Sequence, residues 1–175
     1  MLGVFPISRR VADERKIFRS DLKVYEEVNM MGRMARLTAN EGRYLALIYR
    51  KQNEELSRVG TTSLARNFGV QPPTVTEMLS KLADRGLLKY VRYHGIELTD
   101  EGIRVAQGLL RRHRLLEVLL VRALNYSVQG ACAEASKIDH YTSEDVINRI
   151  CRRYGHPRTC PCNKTILHVS GCRGD

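Results

Sequence analysis

Apolar residues recur at helical spacing along most of the chain, and this pattern predicts a mainly α-helical protein. The first regular helix is predicted from Asn40 to about Leu56. Its apolar face consists of Tyr44, Leu45, Ile48 and Tyr49. Two shorter helices joined by a tight turn are predicted within residues 62–88. Such a pair is the pattern of a helix-turn-helix.

The second short helix, predicted from Pro72 to Asp84, has the features of a DNA recognition helix. Proline is tolerated in a first helical turn, where backbone N–H groups lack intrahelical partners. One face is apolar, with Val75, Leu79 and Leu82. The other face is short and polar, so it can enter a major groove and meet base edges and phosphates. The predicted contact residues are Gln71, Pro73, Thr74, Thr76, Glu77, Ser80 and Lys81.

A β-rich stretch at residues 87–98 follows, and His94-Gly95 marks the turn of a predicted hairpin. A hairpin in this place would be the wing of a winged helix. Arg92 and His94 near its tip are placed to contact the phosphate backbone. The alternative is a helical pair inside some other α-rich domain. That alternative leaves the Pro-Pro start, the polar outer face and the basic hairpin unexplained.

Three more helices are predicted beyond the wing. A long one begins at Thr99 or Asp100, which can cap it, and ends near Ala123. It is too apolar for one solvated face, so we expect it to join the DNA-binding half to the rest of the chain. Shorter helices are predicted near residues 130–139 and 143–153, and the latter carries the apolar stripe Val146, Ile147 and Ile150. We expect a dimer interface to cover that stripe.

Composition narrows the class of protein. A net charge of +10 and a pI near 9.7 favour a polyanionic partner, although ordinary basic proteins share them. No apolar run approaches the ~20 residues of a membrane span, and the N-terminus has no signal-peptide pattern, so we expect a cytoplasmic protein without a membrane partner. We expect no enzyme, because neither a nucleophile–base pair nor a phosphate-binding glycine loop is evident.

Potential metal ligands lie on two of the predicted helices. His113 and Glu117 are four residues apart and share one face of the long helix. The next helix places a thiol, a hydroxyl, a carboxylate and an imidazole along one side, from Cys132, Ser136, Asp139 and His140. If the two helices face each other, these groups make a mixed N/O/S site for a first-row transition metal. A His–Glu pair is also typical of a surface salt bridge or of a buried histidine whose hydrogen bonds are satisfied, and spacing does not decide among the three.

Several motifs, in order, resemble the diphtheria-toxin-repressor family of iron- and manganese-dependent transcriptional regulators over about residues 40–166. They are Tyr44–Tyr49, Gly69–Leu79, Leu98–Gly102, Arg112–Glu117, Asp139-His140 and Gly155–Pro157. The resemblance implies a winged-helix domain followed by a helical dimerisation domain. It implies a homodimer on a palindromic double-stranded operator, with Fe²⁺ or Mn²⁺, or alternatively Zn²⁺, as corepressor and no small organic ligand. The chain has no room for the SH3-like third domain of some members.

Carried over by position, the resemblance implies metal ligation by His113, Glu117, Asp139 and His140. Cys132 stands where iron-type members have histidine, and Ser136 where the family has cysteine or glutamate, which makes Ser136 the weakest candidate. Two positions depart further. Arg43 stands where the family has a methionine or aspartate ligand, and Ala46 where manganese-type members have glutamate. An arginine cannot ligate a cation. Either a reduced site survives, or Arg43 replaces the metal with a salt bridge to Glu117 or Asp139.

The organisation expected from these patterns has three parts. Residues 1–36 form an extension, residues 37–101 the winged helix-turn-helix domain, and residues 102–175 a metal-binding and dimerisation domain with a cysteine-rich end. All five cysteines lie beyond residue 130, and Cys160-Pro-Cys162 is a candidate structural zinc site with a tight spacing. The leading interpretation is a metal-responsive repressor of metal homeostasis genes. The alternatives are a metal-independent winged-helix protein and a zinc- or thiol-based interaction module.

Overall fold

The computed structural model describes residues 37–91 and 95–167. Within these ranges the chain forms six α-helices and one β-hairpin. The elements in chain order are α1 (Ala39–Tyr49), α2 (Thr61–Phe68), α3 (Pro72–Asp84), β1 (Leu88–Val91), β2 (Gly95–Leu98), α4 (Asp100–Leu124), α5 (Val128–Ile138) and α6 (Glu144–Arg153). The predicted extension, residues 1–36, and Arg92 and His94 of the wing lie outside the described residues.

The first three helices form the predicted helix-turn-helix and the helix behind it. α1 starts with a capping box, in which Thr38 and Glu41 each accept a hydrogen bond from the other's backbone N–H. It continues into a π-helical turn, Arg50–Glu54, so the helical segment ends two residues before the predicted Leu56. α2 ends at Gly69, whose φ of 64° is left-handed and suits glycine. α3 has the predicted bounds.

The hairpin after α3 is antiparallel and pairs Leu88 with Leu98 and Val91 with Gly95. It is held closely against the start of α4. The Thr99 hydroxyl donates to the Gly86 carbonyl at 2.8 Å, and a Cβ added to Gly102 would lie 1.8 Å from the Leu87 carbonyl oxygen. A side chain at position 102 would therefore push the hairpin and the helix apart.

The long helix α4 connects the two halves as predicted. Thr99 caps it by accepting a hydrogen bond from the Gly102 N–H, and Asn125 ends it with a φ of 56°. α4 contacts α1 and β2 of the N-terminal half and α5 and α6 of the C-terminal half. None of the helices in the described ranges combines the length and the apolar character that a bilayer crossing requires.

The apolar core of the C-terminal half corrects one expectation. Ile147 and Ile150 of α6 are buried within the same chain, against Leu115, Leu116 and Ile166. The expectation that a dimer interface covers the α6 stripe is therefore wrong for Ile147 and Ile150, because α4 and the C-terminal segment of the same chain already cover them. Val146 remains 43% exposed. The other large apolar side chains exposed among the described residues of this half are Leu124, Tyr126, Val128, Ile138 and Tyr141.

Candidate DNA interface and metal centre

The outer face of α3 presents polar side chains to solvent. Gln71, Pro73, Thr74, Glu77, Ser80 and Lys81 are exposed, and Thr76 is half-buried with its hydroxyl donating to the Pro72 carbonyl. On the inner face, Val75, Leu79 and Leu82 have no exposed surface. A groove lined by Arg58, Thr61, Pro73, Glu77, Tyr90 and Ile96 separates the start of α3 from the hairpin. The geometry leaves the predicted recognition face free to contact a ligand.

Glu41 fixes the far end of α3 to α1. Its carboxylate is fully buried and lies 3.1 Å from Lys81 Nζ and 3.0 Å from the Arg85 guanidinium. Burial alone would raise the pKa of Glu41, but the Thr38 N–H and the Lys81 ammonium outweigh it and hold the pKa below its ordinary value. Lys81, predicted to contact DNA, is thus paired within the protein. Its side chain is 58% exposed.

The predicted metal ligands of α4 and α5 meet at His113. Its Nε2 lies 3.2 Å from Glu117 Oε1 and 3.5 Å from Cys132 Sγ. Its Nδ1 lies 3.0 Å from Asp139 Oδ2. The ligand atoms of His113, Glu117 and Cys132 all lie within 4.8 Å of one another. The two helices therefore do face each other. The contacts of His113 with Cys132 and Asp139 show that the His113–Glu117 pair is not an isolated salt bridge on the surface.

The C-terminal turn brings two more sulfur atoms to Glu117. Cys162 Sγ lies 3.3 Å from Glu117 Oε2, and Cys160 Sγ lies 2.9 Å from Cys162 Sγ. Glu117, Cys160 and Cys162 form a second group of ligand atoms within 4.8 Å of one another. The sequence had placed these cysteines in a separate zinc site. The structure joins them to the α4 ligands through Glu117.

The charges in this cluster depend on removable protons. Burial would lower the pKa of His113, but the Asp139 and Glu117 carboxylates outweigh it and raise the pKa to about 10. Burial would raise the pKa of Glu117, but the His113 hydrogen bond leads the contacts that lower it to about 2. Burial, with the Cys162 and Glu117 contacts, raises the pKa of Cys160 to about 12. At neutral pH, the Glu117 carboxylate is thus surrounded by an imidazolium and thiols.

The remaining candidates lie beside this cluster, in a cleft of about 320 Å³ between α1, α4 and α5. Arg43 on α1 donates to the Ser136 backbone carbonyl at 3.2 Å. The expected alternative, a salt bridge from Arg43 to Glu117 or Asp139, is not formed among the described residues, because both carboxylates contact His113. The Ser136 hydroxyl donates to the Cys132 carbonyl at 2.9 Å. His140 lines the cleft and packs edge-on against Tyr141.

The donor set around His113 fits a divalent transition ion. It offers an imidazole nitrogen, a carboxylate oxygen and a thiol sulfur, the borderline ligands that Fe²⁺, Mn²⁺ and Zn²⁺ share to different degrees. Asp139 on the opposite ring nitrogen would orient His113, as carboxylates commonly do for metal-bound histidines. The other implied positions, Ser136 and His140, form a poorer site, because the Arg43 guanidinium lies in the same cleft and donates to the Ser136 carbonyl.

Two functional contacts were not found from the sequence. Glu41 could have been found, because Thr38-x-x-Glu41 is a capping-box pattern. The contact between Cys162 and Glu117 spans 45 residues, and no local pattern signals it.

Comparisons with known proteins agree with the resemblance found in the sequence. Family models match twice: the N-terminal DNA binding domain of iron dependent repressors over residues 36–96, and their metal binding and dimerisation domain over residues 99–168. An uncharacterized HTH-type transcriptional regulator of Methanocaldococcus jannaschii is 35% identical over 107 residues, 61% of this chain and 86% of that protein. The iron-dependent repressor IdeR of Mycobacterium tuberculosis is 32% identical over 123 residues, 70% of this chain and 53% of IdeR.

Solved structures show the same relationship. A manganese-dependent transcriptional repressor in complex with manganese has a TM-score of 0.69 and 34% identity, covering 74% of this chain and 59% of that one. A hypothetical protein from Sulfolobus solfataricus has a TM-score of 0.61 and 29% identity, covering 75% of this chain and all of that one. The chain thus spans about half the length of the mycobacterial repressor. With both domain models in order on a winged helix and its helical partner, the chain belongs to the iron dependent repressor family of DNA-binding transcriptional regulators.

Proposed function

We propose that this chain is a metal-responsive repressor of metal homeostasis genes that binds a palindromic operator as a homodimer. The observation that carries the proposal is the convergence of His113, Glu117 and Cys132 on helices joined directly to the winged helix. A repressor must reach the chromosomal DNA, so we expect this protein to act in the cytoplasm. The dimer presents two recognition helices, which a two-fold symmetric operator matches.

The ion would be held by His113, Glu117 and Cys132, with Asp139 orienting the imidazole. When bound, it supplies a divalent charge that replaces the protons now surrounding the Glu117 carboxylate. Because the raised pKa of His113 keeps its imidazole protonated at neutral pH, metal binding must release at least one proton. Metal affinity therefore rises with pH.

Arg43 supports a second candidate function, a regulator whose DNA binding needs no metal. Its hydrogen bond to the Ser136 carbonyl already ties α1 to α5. A fixed cation in this place can hold the DNA-binding half in position without an ion. We expect metal to stabilise the protein more than it activates it. Operator affinity should then differ less than about tenfold between chelator and saturating Mn²⁺, Fe²⁺ or Zn²⁺, a coupling free energy under about 1.4 kcal/mol.

The test uses a duplex selected from random DNA by the purified chain in the presence of metal. Its affinity is measured by fluorescence anisotropy with chelator and with each ion. A hundredfold activation would show that Arg43 is a bystander and that metal switches DNA binding. No bound metal and no chelator effect would favour the metal-independent regulator. If the unchanged chain binds an ion, His113→Ala should abolish that binding.

Thr74→Asp tests the DNA-binding face. The new carboxylate stands on the exposed face of α3, so it should abolish operator binding while the circular dichroism spectrum stays unchanged. Gln129→Glu is the matched control, because it adds the same charge at an exposed position on α5. If Thr74→Asp bound the duplex as tightly as Gln129→Glu, α3 would not be the recognition helix.

A further inference from the structure

The Cys160-Pro161-Cys162 turn delivers two sulfur atoms to the inner side of the metal centre. Glu117 is shared between two groups of ligand atoms, one with His113 and Cys132 and the other with Cys160 and Cys162. Cys162 Sγ lies 3.3 and 3.6 Å from the two Glu117 oxygens. Three separate segments, α4, α5 and the C-terminal turn, thus contribute donor atoms around one carboxylate.

The backbone holds this turn in place. The Cys160 N–H donates to the Lys164 carbonyl and the Asn163 N–H to the Cys160 carbonyl, each at 2.9 Å. Thr159 and Thr165 form an isolated antiparallel bridge beneath it. The buried Arg114 of α4 also donates to the Thr165 carbonyl, which fixes the turn to the helix that carries Glu117. Donor groups held by such contacts before an ion arrives lose little freedom on binding it.

The turn is also accessible to an ion on one side. Cys160 is only 3% exposed, whereas Cys162 is exposed. Zn²⁺ bound to two thiolates at about 2.3 Å needs sulfur atoms about 3.8 Å apart in a tetrahedral site. The two sulfurs are now 2.9 Å apart, so they must separate, and the exposed Cys162 side chain has room to rotate.

We propose that Cys160 and Cys162 are ligands of this metal centre and make it select a thiophilic ion, of which Zn²⁺ is the physiological example, over Mn²⁺. On binding, each coordinating thiol releases its proton to solvent, and no electron is transferred. Soft thiolate sulfur favours Zn²⁺ over Mn²⁺, which prefers oxygen ligands. The inference rests on the proposed function in that Glu117 and the His113 ligand group belong to the same centre.

The experiment titrates the reduced protein with Co²⁺, which replaces Zn²⁺ and shows a thiolate-to-cobalt charge-transfer band only when sulfur is bound. The variants are Cys162→Ser, Cys162→Ala, Cys160→Ser/Cys162→Ser and Cys132→Ser. Cys151→Ser is the matched control, because Cys151 Sγ lies beside His156 Nδ1 at 3.4 Å and not beside Glu117. Affinities for Zn²⁺ and Mn²⁺ are measured for each variant by competition with a chromophoric chelator.

We expect the Cys160→Ser/Cys162→Ser variant to bind Co²⁺ with a weaker band, which Cys132 alone then supplies. Its ratio of Zn²⁺ to Mn²⁺ affinity should fall by about tenfold or more, the scale of losses around metal sites. Cys162→Ser and Cys162→Ala should lose Zn²⁺ affinity alike. Cys151→Ser should match the unchanged chain in band and ratio.

Two outcomes would overturn the inference while leaving the proposed function intact. One is an undiminished band and affinity ratio in the double variant. The other is full Zn²⁺ affinity in Cys162→Ser with a loss in Cys162→Ala, since serine keeps a donor to Glu117 and Cys162 would then only position that carboxylate. Absence of Co²⁺ binding to the unchanged chain would instead contradict the proposed function, and the inference with it.

Discussion

Two glutamates, Glu41 and Glu117, are buried to the same degree but have different kinds of partner. Glu41, between α1 and α3, is paired with two cationic side chains, Lys81 at 3.1 Å and Arg85 at 3.0 Å. Glu117, between α4, α5 and the C-terminal turn, is surrounded by His113, Cys160 and Cys162. Each of these three can give up a proton.

This difference decides what each carboxylate can do. A buried carboxylate needs a compensating positive charge or several hydrogen-bond donors. Two cationic side chains of the protein compensate Glu41, so the Glu41 cluster is a structural connection that repels a metal ion. Removable protons satisfy Glu117 only until a metal ion competes for the same atoms. The comparison predicts that the two glutamates respond differently to substitution, chelator and acid.

The largest expected effect is on metal binding. Glu117→Gln replaces a charged ligand with a neutral amide, so Zn²⁺ and Mn²⁺ affinities should fall by about a hundredfold, near the upper end of losses around metal sites. Glu41→Gln should leave both affinities unchanged, which makes it the control. Competition with a chromophoric chelator measures both variants. Equal losses would mean that the two clusters are one coupled unit.

Glu41→Gln should instead lower the free energy of unfolding by about 1.5–3 kcal/mol, the usual scale for hydrogen bonds to a charged group. The loss should be the same with chelator and with saturating metal, because the ion does not contact Glu41. Urea denaturation followed by circular dichroism measures it. If saturating metal restored the free energy of unfolding of Glu41→Gln, the assignment of Lys81 and Arg85 as the partners of Glu41 would be wrong.

Acid should remove the difference between the unchanged chain and Glu41→Gln. The folded-state pKa of Glu41 lies below its ordinary value of 4.5, so its contribution to stability is present above that pH. It is lost as the pH falls through the folded-state pKa. We expect a constant difference in unfolding free energy from neutral pH to about pH 5 and a shrinking one below pH 4.5. If the difference in unfolding free energy grew in acid instead, the pKa of Glu41 would be raised in the folded state and not lowered.

The smallest expected effect belongs to Arg43, which connects α1 to the metal-binding half. Because the side chain is exposed and makes one hydrogen bond, Arg43→Ala should change the unfolding free energy by about 0.5 kcal/mol or less. It should, however, increase the effect of metal on operator affinity, since the fixed connection is gone. Arg50→Ala, at the other arginine lining the cleft, is the control. An unchanged metal response would leave Arg43 without a role in the connection.

Sequence reasoning succeeded where structure is determined locally. The bounds of α3 follow from Pro72 and from an apolar stripe that ends near Asp84, and the start of α4 follows from the Thr99 cap. The same periodicity misjudged α6, because a stripe shows which face is apolar and not what covers it. Ile147 and Ile150 are covered by residues far along the chain, including Ile166.

The grouping of the candidate metal ligands was predicted in part for the same reason. His113 and Glu117 are one helical turn apart, so their proximity is local. Their contacts with Cys132 and Asp139 required two helices to pack in one particular register, which the family resemblance supplied and spacing did not. The approach of Cys162 to Glu117 depends on how the C-terminal turn folds back across α4. No pattern within a window of a few residues carries that information.

The absence of a side chain at Gly102 has a mechanical consequence. The Leu87 carbonyl sits where a methyl group would be, and the Thr99 hydroxyl clamps the Gly86 carbonyl, so the hairpin and the first turn of α4 form one rigid joint. Any change of angle between the two halves must therefore occur further along α4, beyond its first turn. The hairpin then moves together with the N-terminal end of α4. Gly102→Ala, which adds a single methyl group, would loosen the packing of the hairpin on α4 without changing either glutamate.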